Sequence, residues 1–158
     1  MRIIGIDPGT GIMGFGVIDA VGQTATMVDA GVVRTKVNQP LDERLEEIYN
    51  CLSDIIEETK PKIMVIEKLF FAQNVTTAIS VSHARGVAML AGKLAGLEIV
   101  EYTPLQIKQS LTGYGRADKN QVQQMVKILL GLSEIPKPDD CADALAAALM
   151  HATALKIK

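Results

Sequence analysis

The chain of 158 residues is 48% hydrophobic and 22% charged with a formal net charge of −2, values of an ordinary globular protein with room for one core rather than two. A disulfide scaffold and a zinc module are excluded, because Cys51 and Cys141 lie far apart in sequence with no Cys or His at ligand spacing; both are read as reduced, inert and buried. No run reaches the ~18 apolar residues of a membrane span, and Arg2 and Asp7 interrupt any apolar leader, so the expectation is a cytoplasmic protein with no membrane partner.

In chain order, Arg2-Ile3-Ile4-Gly5-Ile6 has the β-branched content of a buried strand, and Asp7 ends it before the turn Pro8-Gly9. Gly14–Asp19 and Thr26–Thr35 read as two further strands, and their short glycine-bearing links predict antiparallel hairpins. After Pro40, Leu41, Leu45, Ile48, Leu52 and Ile55 recur at three- and four-residue steps, which predicts an amphipathic helix closed by Pro61. Ile63-Met64-Val65-Ile66 is another continuous apolar run and ends in Glu67. A strand covered on both faces implies a parallel pairing with a crossover helix, so the two strands should lie side by side with both carboxylates at one edge.

Lys68 to Asn74, including Phe70 and Phe71, reads as an irregular segment before a helix from about Thr76 to Leu94, rich in Ala and Gly. One side of such a helix can lie on the sheet, and the other can meet a second subunit or pack within its own. Glu98–Tyr102 is a fifth strand, and Pro104 opens a short helix to about Leu111. Asp118 is the predicted N-cap of a helix from Lys119 to Leu130, with Gln121 at the capping-box position. Pro136-Lys137-Pro138 leads into a last helix, Asp139 to about Leu155. The expected architecture is α/β: a five-stranded mixed β-sheet flanked by helices on both faces.

Charge divides unevenly: residues 1–67 hold six Lys/Arg against eleven Asp/Glu, and residues 68–158 hold ten against seven. The second half is therefore mildly basic, compatible with a face for a polyanion and equally with ordinary solvated surface. His83 and His151 show no partner at catalytic spacing and are read as structural or surface residues.

The last helix begins with Asp139, Asp140 and Asp143. Residues three or four apart share a helix face, so either Asp140 or Asp139 can point with Asp143; the first two also suit a helix start without any catalysis. Asp143 stands in an almost wholly apolar stretch, Cys141 to Leu149, where a charge needs a partner and the neighbouring sequence offers no base. A divalent cation shared with Asp7 and Glu67 would satisfy all of them, and hard cations such as Mg²⁺ take carboxylate oxygens. Two such ions about 3.5–4 Å apart form the clamp used in phosphodiester cleavage.

The motifs IDPGTG at Asp7, IMVIEKLFF at Glu67 and DCADALAAA at the last helix, in this order and spacing, resemble the RuvC family of Holliday-junction resolvases, within the RNase H-like nuclease superfamily. The resemblance covers nearly the whole chain and implies a single RNase H-like nuclease domain over residues 1–158. It implies that Asp7, Glu67, Asp140 and Asp143 are the catalytic, metal-binding acids, with Mg²⁺ as the cofactor, two ions per site, and Mn²⁺ as a substitute. It selects Asp140 over Asp139 by the family's spacing, although some members carry His at that position. It also implies a homodimer that nicks opposing strands of a four-way DNA junction in recombination and repair, beside the RuvA and RuvB branch-migration proteins. Phe70 matches an aromatic that stacks on unpaired bases, while Phe71 reads as core. Lys108 and Lys119 match basic positions near the scissile phosphate, and Arg116 and Lys137 are further phosphate-contact candidates.

Two rival readings start from the same residues. Asp-Pro-Gly-Thr-Gly also resembles the phosphate turn of actin-like nucleotide-binding domains, which need a second domain for which 158 residues leave no room. A relative of the same fold acting on RNA or another branched nucleic acid is the other.

Overall fold

The computed structural model describes residues 1–69 and 75–155. The elements come in the expected order: β1 (Arg2–Asp7), β2 (Ile12–Val21), β3 (Thr24–Arg34), α1 (Leu41–Thr59), β4 (Ile63–Glu67), α2 (Val75–Leu94), β5 (Glu98–Tyr102), α3 (Pro104–Thr112), α4 (Lys119–Leu129) and α5 (Asp139–Leu155). They build one sheet in the order β3-β2-β1-β4-β5. The first three strands pair antiparallel, and β1, β4 and β5 run parallel.

The hairpin strands are longer than the apolar runs that announced them. Gly22 takes φ +56°, a left-handed turn conformation open to glycine. The β2–β3 ladder therefore continues to the pair Val21 and Thr24 at the turn itself. Helix α1 ends earlier than Pro61: Lys60 adopts φ 51° and its N–H donates to the Ile56 carbonyl at 2.8 Å. The residue before a proline is driven out of helical geometry, so the helix stops at Thr59.

Side chains alternate across each strand, and the two faces of the sheet carry separate cores. Ile4, Ile6, Met64 and Ile66 pack with Ile48 and Leu52 of α1 and with Ala84 and Ala88 of α2. Ile3, Ile63 and Val65 point the other way, against Ile107 of α3, Val122 and Val126 of α4, and the alanines and leucines of α5. Cys141 is buried as expected, but Cys51 is only half-buried, because its place on α1 is the border of the helix's apolar face rather than its centre.

Helix α5 lies almost in contact with the strand backbones. A Cβ on Gly5 would stand 1.9 Å from the Ala144 carbonyl oxygen, and one on Gly14 only 2.1 Å from the Asp140 carbonyl oxygen. Both glycines are required by close approach rather than by backbone dihedral. The helix answers with small residues of its own: Ala142, Ala144, Ala146, Ala147 and Ala148 are all essentially buried.

Candidate active site

Asp7 and Glu67 are the last residues of β1 and β4. The parallel register pairs Ile6 with Ile66, so the two acids follow side by side at the carboxyl edge. Each is an even number of positions from residues facing α5, Ile3 and Gly5 in β1 and Ile63 and Val65 in β4, which places both acids on the α5 side. The first two turns of α5 descend on the same edge, held there by Gly14 beneath Asp140. Four carboxylates from two strand ends and one helix start thus converge.

Their electrostatics report the convergence. Burial raises the Asp7 carboxyl from 3.8 to about 7, and the charges of Asp143, Glu67 and Asp140 add to the effect, against a smaller opposing pull from Lys119. Glu67 is pushed up by burial and then by Asp143, with Lys108 acting in the opposite sense. Asp143 is raised by burial, while the hydrogen bond and charge of Lys119 oppose this and Asp139 and Asp140 reinforce it. Asp140, and not Asp139, is among the charges that reach Asp7.

The partner of Asp143 is not what the neighbouring sequence suggests. Lys119 Nζ stands 3.0 Å from Asp143 Oδ2 and 3.4 Å from Asp139 Oδ2. A base does exist, then, but it comes from the start of α4, brought in by tertiary packing. Burial draws the Lys119 ammonium down, yet the hydrogen bonds and charges of Asp143 and Asp139 together outweigh it and hold it above its ordinary value. The position of Lys119 is set locally: Asp118 caps α4 by accepting from the Gln121 N–H at 2.8 Å while Gln121 returns a bond to the Asp118 N–H at 2.9 Å.

Lys108 projects from α3, itself fixed by a Thr103–Gln106 capping box. Glu67, Lys108, Lys119 and Asp143 line a cavity of about 270 Å³ whose remaining walls include the apolar Ile107, Val122 and Ala146. Arg116 and Lys137 are exposed on loops and do not line it. Phe70, with Phe71, lies outside the described residues. His83 is exposed, and His151 is a buried core residue whose Nδ1 meets the Tyr102 hydroxyl at 2.8 Å.

The donor set is all-oxygen and mutually repulsive, which suits a hard divalent cation. Among the described residues no three acids, histidines or cysteines stand close enough to cage an ion as their side chains lie. Asp143 is turned to Lys119. Sequence reading missed Lys119 as the partner of Asp143 and the glycines under α5. The first had no local signal; the second could have been sought as glycines inside strands, which mark close backbone approach.

The family model described as "Crossover junction endodeoxyribonuclease RuvC" matches residues 3–151. The chain belongs to the RuvC family. A curated RuvC relative from Desulfitobacterium hafniense is 54% identical over 157 residues, covering 99% of this chain and 95% of the relative. The RuvC structure from Thermus thermophilus matches with a TM-score of 0.93 at 36% identity, covering 99% of this chain and 96% of that one. The T. thermophilus RuvC solved in complex with a Holliday junction substrate matches at 0.91 and 34% identity, with the same coverage. The sheet and its flanking helices are thus the RNase H-like fold of RuvC, and the family match over residues 3–151 places the chain with these nucleases rather than with actin-like nucleotide-binding domains.

Proposed function

We propose that this chain is a structure-specific endodeoxyribonuclease that resolves four-way DNA junctions by paired, metal-dependent nicks, a single RNase H-like nuclease domain working in recombination and repair. The observation that carries the reading is the convergence of Asp7, Glu67, Asp140 and Asp143 on one sheet edge beside two lysines. Acids gathered without a cation would repel a phosphate, so the cluster makes chemical sense as a metal site facing a phosphodiester.

Asp7, Glu67, Asp140 and Asp143 are assigned as the ligands of Mg²⁺, two ions per site, with Mn²⁺ as a functional substitute. When bound, such ions activate the attacking water and stabilise the leaving oxygen. The protein's own residues do the rest. Lys119, kept protonated by Asp143 and Asp139, and Lys108 on the same cavity present positive charge to the scissile phosphate and orient it. The apolar walls Ile107, Val122 and Ala146 limit the water that reaches the reacting edge. Phe70 is assigned to stacking on unpaired junction bases, and Arg116 and Lys137 to phosphates further along the strands.

A homodimer supplies the second nick. Ile79, His83, Gly86, Leu90 and Leu94 fall on one exposed face of α2, with Ile79, Leu90 and Leu94 exposed by 52%, 53% and 67%. A Cβ on Gly86 would meet nothing within 4 Å among the described residues. An apolar strip with a glycine at its middle suits a second copy of the same helix, and a two-fold dimer suits the two-fold symmetry of a junction. In this reading the dimer works beside RuvA and RuvB. Among the described residues no helix is long and apolar enough to cross a membrane.

The deciding experiment is cleavage of a synthetic four-way DNA junction, a matched duplex and an RNA-containing junction, each with Mg²⁺ and with EDTA. Symmetric paired nicks confined to the DNA junction, lost with EDTA and in Asp7→Asn, support the assignment. Preference for the RNA-containing junction would transfer it to the other reading of the fold.

A further inference from the structure

The acids face α5, but the end of β4 is also gripped from behind. Arg85 of α2, on the opposite side of the sheet, has a side chain only 18% exposed. Its Nε donates to the main-chain carbonyl oxygen of Glu67 at 3.0 Å, and its Nη2 forms an ion pair with Glu101 of β5. The next main-chain group is held as well: the N–H of Lys68 donates to the Tyr102 carbonyl at 2.8 Å.

These two bonds act on one peptide plane, the one joining Glu67 to Lys68. Its carbonyl is fixed by Arg85 and its N–H by β5. β4 ends at Glu67, where the strand ladder stops constraining the backbone, and the two bonds together limit the ψ torsion of Glu67 and so fix the strand end that carries its side chain. A guanidinium does this better than an ammonium because its planar fork satisfies two acceptors at set angles, one on β4 and one on β5.

We propose that Arg85 is a positioning residue for Glu67: it locks the terminal peptide of β4 from the far face of the sheet and so sets the direction of the Glu67 carboxylate. It touches neither phosphate nor metal. The guanidinium also makes the α2 helix and the reacting edge one mechanical unit. The inference rests on Glu67 being a metal ligand, as assigned above.

The test is a double-mutant cycle of Arg85→Gln and Glu67→Gln, with Mn²⁺ binding measured by calorimetry on the full-length protein and junction binding measured in EDTA. Arg85→Gln is expected to weaken Mn²⁺ binding by about 10-fold and to slow cleavage by 10- to 100-fold, the range for removing an outer-shell support of a ligand. Junction affinity in EDTA should not change. On the Glu67→Gln background the Arg85 substitution should add nothing further to the Mn²⁺ loss. Should Arg85→Gln fail to fold, Arg85→Lys keeps the charge and loses the fork, and the same Mn²⁺ deficit is expected from it. A folded variant with unchanged Mn²⁺ affinity overturns the proposal, as does an equal deficit with and without the Glu67 carboxylate. If the wild-type protein binds Mn²⁺ but cuts no junction, the functional assignment fails while the calorimetric cycle still decides the role of Arg85.

Discussion

Lys119 Nζ and Asp143 Oδ2 lie 3.0 Å apart, joining the first residue of α4 to the third acid of α5 on the wall of one cavity. In the proposed function the ammonium competes with a divalent cation for Asp143 while supplying charge for phosphate. Lys119→Ala separates the two roles. Metal half-saturation should stay the same or improve, cleavage should fall by 10- to 100-fold, and the salt dependence of junction binding should lose about one counterion. Folding stability should change by less than about 1 kcal/mol, because the lysine is half-exposed. Metal titrations of cleavage and salt titrations of binding check this; a large loss of metal affinity would count against it.

The raised Asp7 carboxyl makes stability depend on pH in a defined direction. With the carboxyl raised from its ordinary 3.8 to about 7, the folded state between these values holds a proton that the unfolded state has released. The contribution is fully present below about pH 4 and is lost as pH rises through 7. At ~1.4 kcal/mol per tenfold in proton affinity, the loss is of order 4 kcal/mol. In EDTA, the wild-type denaturation midpoint should fall between pH 5 and 8, and Asp7→Asn should flatten that slope. Mg²⁺ should restore the wild-type midpoint at pH 8 and leave Asp7→Asn less affected.

Asp7→Asn should also abolish cleavage while retaining or tightening junction binding, because in the proposed function it removes a metal ligand and a negative charge facing phosphate. Gel-shift and nicking assays on one preparation check both halves. Loss of binding together with cleavage would show that Asp7 is needed for the fold of the edge.

Gly14→Ala forces a methyl group to within 2.1 Å of the Asp140 carbonyl, a main-chain atom that can move only with α5. Overpacking of this kind costs about 1–3 kcal/mol. Since the displaced helix turn carries Asp140 and Asp143, cleavage should fall further than the stability loss accounts for. Thermal unfolding and single-turnover cleavage of the folded variant, measured together, test the excess.

Leu90→Lys combined with Leu94→Lys places charge on the exposed strip of α2. The expected result is a monomer by light scattering with an unchanged fold by circular dichroism, and unpaired nicks where paired ones were made. A variant that remains dimeric would move the interface elsewhere.

Much of this protein is readable from local chemistry. Asp7 and Glu67 each close a short apolar run, so their place at strand ends follows from the pattern alone; the Asp118–Gln121 box likewise announces the start of α4 three residues at a time. Parity along β1 and β4 even predicts that both acids share a face once the strands are taken as parallel neighbours. These signals survive in one dimension because they depend on residues within a few positions of each other. What only the tertiary structure decided depends on pairs far apart in sequence: Lys119 meeting Asp143, Gly5 and Gly14 admitting the backbone of α5, and Arg85 reaching through from α2 to the Glu67 carbonyl. A lysine looks the same in sequence whether it is solvated or paired, and a glycine whether it turns or makes room. Its partner is chosen by how the layers pack, and that choice brought carboxylates far apart in sequence to one edge of the sheet.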